Sequence, residues 1–214
     1  MLGSSVARHL AQAGASVTLI GPGEPEDRRT HQGVFASHYD DTRITRVIDP
    51  DPVRALLAHR SVSAFRRLET HTSVGFYSEV GHLWVGSPHE VAQLAGCGQR
   101  LGLGCVSHSA EELKEVFPGL RPPGGLEGLF QANGAGHLDP RGYVRAEGVA
   151  FTAAGGVVYD EMVTAVREVD TGVEIATARR TLTADRVVLA TGAFFGHGDT
   201  PAASLPFTVG THTM

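Results

Sequence analysis

The sequence predicts an α/β fold in which a helix–turn–strand unit opens the chain and antiparallel hairpins fill its last third. Three observations carry this expectation. Residues 3–14 repeat apolar positions at helical spacing and run through Gly14 into the apolar stretch 15–20. Further helical periodicities alternate with short strands as far as residue 156. Beyond it, apolar runs at 157–159, 163–166, 173–178, 180–183 and 186–190 follow one another too closely for helical crossovers.

Each element has a local reason. In the first helix Val6 and Leu10 lie four apart, and small Ala7 and Ala11 beside them let one face approach a sheet closely. Gly14 suits the position just past a helix end, and Gly21-Pro22-Gly23 closes the strand that follows. Residues 24–50 are polar and turn-rich, a length of loop that more often serves function than connection. Asp51-Pro52 supplies an N-cap and first helical residue for a helix over 52–70. Runs at 74–80 and 82–85 meet at Gly81 as a strand pair or one bulged strand. Ser87-Pro88 starts a helix to about residue 100, and Ser109-Ala110-Glu111-Glu112 is a capping box for a short one. Residues 126–131 form a strand, and Asp139-Pro140 opens a helix that stops at Gly155-Gly156.

Composition narrows the function classes. Of 214 residues 42% are hydrophobic and 19% charged, which places the chain among globular proteins. Lys and Arg total 18 against 23 Asp and Glu, a net charge of −5, so no nucleic-acid partner is expected. No apolar run approaches the ~18 residues of a membrane span, and the first residues lack a signal peptide's basic and apolar regions. Two cysteines, Cys97 and Cys105, fit a reducing, cytoplasmic setting. The eleven histidines, among them His31, His38, His59, His71, His82 and His89, show no metal-ligand spacing, so no metal is expected.

Three segments carry chemistry. Met1-Leu2-Gly3 before the first helix reads as the end of a G-x-G-x-x-G fingerprint, or simply as a glycine ahead of an N-cap serine. Val187-Val188-Leu189-Ala190-Thr191-Gly192-Ala193 reads as a strand bringing backbone against a dinucleotide, or as an ordinary buried strand with a turn. Arg43 and Arg46 offer guanidinium forks for a carboxylate or phosphate, or are solvated and neutralised by Asp40 and Asp41.

The order of these pieces resembles the FAD-dependent amine oxidoreductases of the D-amino acid oxidase superfamily. It looks closest to the monomeric sarcosine oxidase and N-methyl amino acid oxidase branch. The most specific match is Ser37-His38-Tyr39-Asp40-Asp41-Thr42-Arg43-Ile44-Thr45-Arg46, similar to that branch's Ser-His-x-x-Asp-Thr-Arg-x-x-Arg. Glu79-Val80-Gly81-His82-Leu83-Trp84-Val85-Gly86, Phe117-Pro118-Gly119-Leu120 and Gly155-Gly156-Val157-Val158 support it.

The resemblance implies a Rossmann-like FAD-binding domain of the glutathione-reductase type, lacking its first strand, over 1–72 and 137–200. Residues 73–136 and 201–214 would be part of an antiparallel β substrate domain. It implies that Gly3, Ser4 and Ser5 sit at the diphosphate-binding helix start. Ser37 and Arg43 would contact flavin, Arg46 would hold a substrate carboxylate, and Tyr39 would lie near the isoalloxazine. Val163 would present backbone to the adenine, and Thr191 and Gly192 would pack on the ribose–phosphate. The implied reaction moves hydride from the α-carbon of a carboxylated amine to flavin, with O2 or another acceptor reoxidising it. Departures are also present: the second strand ends Leu19-Ile20-Gly21, without the family's ribose-binding acid unless Glu24 replaces it. The first two fingerprint glycines are missing, and the sequence stops after Phe207-Thr208-Val209-Gly210 where the family continues, so a fragment is expected. A nicotinamide-dependent Rossmann enzyme and an inactive α/β binding module are the rival readings.

Overall fold

The computed structural model describes residues 1–27 and 29–206, so the predicted substrate-domain piece beyond residue 206 lies outside the described residues. The chain divides into two compact units, residues 1–39 with 147–214, and residues 40–146. These boundaries differ from those read in the sequence at 72 and 137.

In the first unit, α1 (Leu2–Gln12) buries Ser4, Ala7 and Ala11, three and four residues apart and therefore on one stripe. The two alanines pack on Phe151 of α5 (Pro140–Ala153), with Val17, Leu19 and Ala154 around them. β1 (Thr18–Ile20) pairs in parallel with β8 (Val157–Tyr159), Leu19 opposite Val158. β9 (Val163–Val169), β10 (Gly172–Thr177) and β11 (Thr181–Ala184) form an antiparallel sheet in the order β11-β10-β9. The expected strand over 186–190 forms no ladder among the described residues. A strand exists only through a paired neighbour, and here Val187, Val188 and Leu189 are 38%, 60% and 38% exposed.

A buried carboxylate ties this unit together. Glu147, fully buried, accepts from Ser5 Oγ at 3.1 Å and from both Nε and Nη2 of Arg8. A lone carboxylate there would keep its desolvation cost, so the arginine and the hydroxyl are conditions of its burial.

In the second unit, Asp51 caps α2 (Pro52–Thr72), accepting from Val53 N–H at 2.8 Å. Strands unread in the sequence appear here: β2 (Arg43–Thr45), β5 (Cys105–His108) and β7 (Gly136–Leu138). One antiparallel sheet runs β2-β7-β3, with β3 (Tyr77–Ser78) at its edge. A second runs β4-β6-β5, from β4 (His82–Gly86) and β6 (Glu127–Gln131). The capping box read at Ser109–Glu112 forms for α4 (Ala110–Val116), and Ser87, read as the start of α3 (Pro88–Arg100), makes a second box with Glu90. The core of the second sheet is Ile48, Val91, Leu94 and Leu129.

Glu69 anchors β3, accepting from the N–H groups of Phe76 and Tyr77 at 2.7 and 2.8 Å. Beside it, the Tyr77 hydroxyl is buried without a hydrogen-bond partner, and burial pushes its pKa up to about 12.

Two stability predictions follow from these buried groups. Glu147→Ala, measured by urea unfolding, should cost about 3–5 kcal/mol, because it leaves the Arg8 guanidinium desolvated and unpaired. Arg8→Met combined with Glu147→Leu should recover most of that loss. Tyr77→Phe should raise stability by about 1 kcal/mol, since the hydroxyl it removes is unsatisfied. Below pH 10 the tyrosine is protonated whether folded or not. Between pH 10 and about 12 the unfolded chain deprotonates first, so the unmodified protein loses stability as pH rises and Tyr77→Phe should lose less over that interval.

Candidate functional site

The start of α1 gathers three of the predicted residues. The helical ladder begins with Ser5 N–H to the Met1 carbonyl, 3.2 Å, so the N–H groups of Leu2, Gly3 and Ser4 lie outside it. A Cβ at Gly3 would lie 3.2 Å from the Ala190 Cβ, so glycine allows that close approach. The serine hydroxyls turn inward: Ser4 Oγ donates to Met1 O at 2.8 Å, and Ser5 Oγ reaches Met1 O and Glu147. What this end presents outward is backbone N–H and helix dipole, the donor set that suits a diphosphate.

Thr191 precedes a 3-10 turn, Gly192–Phe194, in which Gly192 has φ 57°. Val163 opens β9, opposite Thr177 across a bulge. Ser37 is exposed in a turn. Tyr39 is buried; its hydroxyl donates to Pro22 O at 3.3 Å, and its ring tilts against His38 at 4.3 Å. Burial, together with the charges of Glu24 and Asp160, holds the Tyr39 hydroxyl above its ordinary pKa. Asp160, which no motif singles out, follows β8 and accepts from Gly23 N–H at 2.6 Å beside the end of β1. Gly21 has no positive φ, and a Cβ there would meet nothing within 4 Å.

The second unit holds the two arginines, and it treats them differently. Arg43, in β2, donates through Nε and Nη2 to Asp40 Oδ2 at 2.9 and 2.8 Å. Asp41 is taken by Arg141 at 3.1 Å. Arg46 is engaged with neither aspartate. Its Nε donates to Ile48 O at 3.2 Å, its guanidinium carbon sits 5.0 Å from the centroid of the Trp84 ring, and Nη2 is 3.6 Å from Asp49.

The backbone after Arg46 is locked. Val47 and Ile48 are fully buried, and their N–H groups both donate to Gln131 Oε1 at 3.2 Å. Gln131 Nε2 donates in turn to Asn133 O at 2.8 Å. Sequence reading missed Gln131 because its role depends on a pairing 83 residues away. An open cavity of about 710 Å³ in this unit is lined by Asp41, Arg66, Tyr77, His137 and Asp139 among others, and none of the predicted site residues lines it.

Among the described residues no group of His, Cys, Asp and Glu could hold a metal, and no helix is long and apolar enough to cross a membrane.

Known proteins give the context. No curated protein matches the sequence. Among solved structures, the chain is similar to NikD, an unusual amino acid oxidase essential for nikkomycin biosynthesis, with 24% identity and a TM-score of 0.71 over 92% of this chain and 50% of that one. It is similar to iminodiacetate oxidase from Chelativorans sp. BNC1, with 23% identity and a TM-score of 0.66 over 90% of this chain and 53% of that one. It is also similar to glycine oxidase from Geobacillus kaustophilus, with 20% identity and a TM-score of 0.65 over the same two shares. The chain thus spans about half the length of these proteins, and they share its fold. Nothing in these likenesses favours a nicotinamide-dependent enzyme or an inactive binding module. The profile of the DAO family, described as FAD dependent oxidoreductase, matches residues 1–210, and the chain belongs to that family, whose cofactor is FAD.

Proposed function

We propose that the protein of which this chain forms part or all oxidises the C–N bond of an amino acid or N-methylated amine. The observation that carries the reading is Arg46: a guanidinium on a rigid backbone, stacked on an aromatic ring and clear of the aspartates that engage Arg43 and Arg141. Bound FAD would supply the acceptor for hydride leaving the carbon next to nitrogen. The chain's own residues then have separable tasks. Arg46 holds the substrate carboxylate and so fixes which carbon is presented, since a bidentate fork orients as well as attracts. The N–H groups at the start of α1, with Gly3, Ser4 and Ser5, receive the diphosphate. Thr191, Gly192 and Val163 lie against the adenosine half, and Ser37, Tyr39 and Arg43 against the flavin half. Residues 1–72 and 137–200 would form the FAD-binding domain, which also carries Arg46, and 73–136, with 201–214, part of the substrate-binding domain. O2 or another acceptor takes the electrons onward, and the setting is cytoplasmic.

Purified protein should show flavin absorbance bands, with FAD released on denaturation; protein that stays colourless when refolded with FAD would sink the reading. Arg46→Ala should weaken carboxylated amines by about 2–4 kcal/mol, as when a charge-assisted pair loses one member, and leave amines without a carboxylate unaffected. Arg46→Lys should recover only part of the loss, because an ammonium cannot make the paired contact. Equal kinetics across the three proteins would count against this role.

Gly21 supplies a second test. The structure shows open space and unstrained backbone there, so Gly21→Ala should leave FAD affinity unchanged. Gly21→Glu adds an acceptor at the end of β1 and should tighten FAD by up to about 1.5–3 kcal/mol if ribose hydroxyls lie within reach. Weaker binding in Gly21→Glu alone would instead mean that Asp160 or Glu24 already occupies that position.

A further inference from the structure

We propose that Trp84 is the positioning residue for Arg46, and that Arg46, Trp84 and His82 together recognise a small amino acid by its carboxylate and a second polar group. This rests on the reading of Arg46 as the carboxylate-binding residue and adds the residues that shape its selectivity.

Strand geometry makes the cluster. His82 and Trp84 are two apart in β4 and so project from the same face, with ring centroids 6.5 Å apart. Trp84 is packed against the core of Ile48, Val91, Leu94 and Leu129, which makes its ring a fixed platform. The guanidinium of Arg46 stacks on that platform at 5.0 Å. Three contacts therefore hold it: the ring on its face, the Ile48 carbonyl on Nε, and Asp49 near Nη2.

The end formed by Nη1 and Nη2 keeps donor capacity. Nη1 has no hydrogen-bond partner among the described residues, and the Asp49 oxygen at 3.6 Å is beyond hydrogen-bond distance from Nη2. Asp49 has another duty, its Oδ1 accepting from Asp51 N–H at 2.9 Å. The Arg46 side chain is 33% exposed, so a carboxylate can approach. A guanidinium already held in place loses less entropy on binding than a free one.

His82 supplies the second polar group. Its Nδ1 is buried without a partner, as is Trp84 Nε1. Burial, and then the neighbouring charge of Arg46, hold the His82 ring below its ordinary pKa, which favours the neutral form. Nε2, which unlike Nδ1 is not buried, is the nitrogen open to a ligand, and on a neutral imidazole beside a cation it can accept an N–H without adding repulsion. A ligand with a carboxylate and an N–H a few bonds apart, as in a small amino acid, satisfies both.

Trp84 is the only tryptophan in the sequence, so its emission reports on this cluster directly. The unmodified 214-residue protein is titrated with N-methylglycine, acetate and methylamine. N-methylglycine and acetate should each give a saturable change in emission, N-methylglycine at the lower concentration, and methylamine none. In parallel calorimetric titrations, Trp84→Leu should weaken N-methylglycine at least tenfold, while Trp84→Phe, which keeps an aromatic face, should stay within threefold. His82→Leu should bring N-methylglycine down to the affinity of acetate. If Trp84→Leu binds as tightly as the unmodified protein while Arg46→Ala does not bind, the platform is wrong and the role of Arg46 stands. If Arg46→Ala also binds unchanged, the reading of Arg46 falls with it. Should Trp84→Leu fail to fold, the emission titration still decides, because no carboxylate-dependent change overturns the proposal.

Discussion

The second unit depends on one buried amide. Gln131 is fully buried on β6, and such a group is tolerated only when its donors and acceptors are met. Its carbonyl takes the N–H groups of Val47 and Ile48, and its amide nitrogen reaches Asn133. Residues 47 and 48 belong to no strand, so without Gln131 two buried N–H groups would be orphaned, at about 1–3 kcal/mol each. The interaction fixes the chain at the step immediately after Arg46. Ile48 then enters the core with Val91, Leu94 and Leu129, and its carbonyl turns back to Arg46 Nε. The direction of a surface guanidinium is thereby set by packing in the interior.

The contrast between the two arginines follows from position along the chain. Arg43 lies three residues after Asp40, within reach of a local paired contact, and takes it. Both partners are substantially exposed, so the pair contributes little to stability and is screened by salt. Arg46 also has an acid three residues on, at Asp49, but the Asp49 side chain already serves the turn before α2. The aromatic face of Trp84 is added to the longer ion pair with Asp49 at 3.6 Å. A cation held by a quadrupole keeps its N–H edge for another acceptor, whereas a cation held by a carboxylate has spent it.

Local signals were legible and non-local ones were not. Asp51-Pro52, Ser87-Pro88, and Ser109 with Glu112 each marked a helix start, because a cap is a contact between residues two or three apart. The strand β7 was not read: Gly136–Leu138 has no alternation to display and exists through its two partners, β2 and β3. The stretch 186–190 failed in the opposite sense, apolar enough for a strand yet without a ladder among the described residues. For the site, the arginine segment was visible as a motif. The same segment could not show that Asp40 engages Arg43 and leaves Arg46 to Trp84, nor that Asp160 stands beside the end of β1.

The same electrostatic reasoning bears on the start of α1. A helix N-terminus attracts an anion through about half a unit of positive charge, an effect that a nearby carboxylate would cancel. Glu147 is such a carboxylate, held to Ser5 in the first turn of the helix. The guanidinium of Arg8 neutralises it through two nitrogens, so the pair as a whole carries no net charge. The dipole and N–H groups of the helix end are then not offset by that carboxylate. The serine hydroxyls, bonded inward to Met1 and Glu147, brace the turn from which those N–H groups project. Arg8 has two consequences: it makes the burial of Glu147 tolerable, and it preserves the positive potential at the helix end on which the diphosphate reading rests.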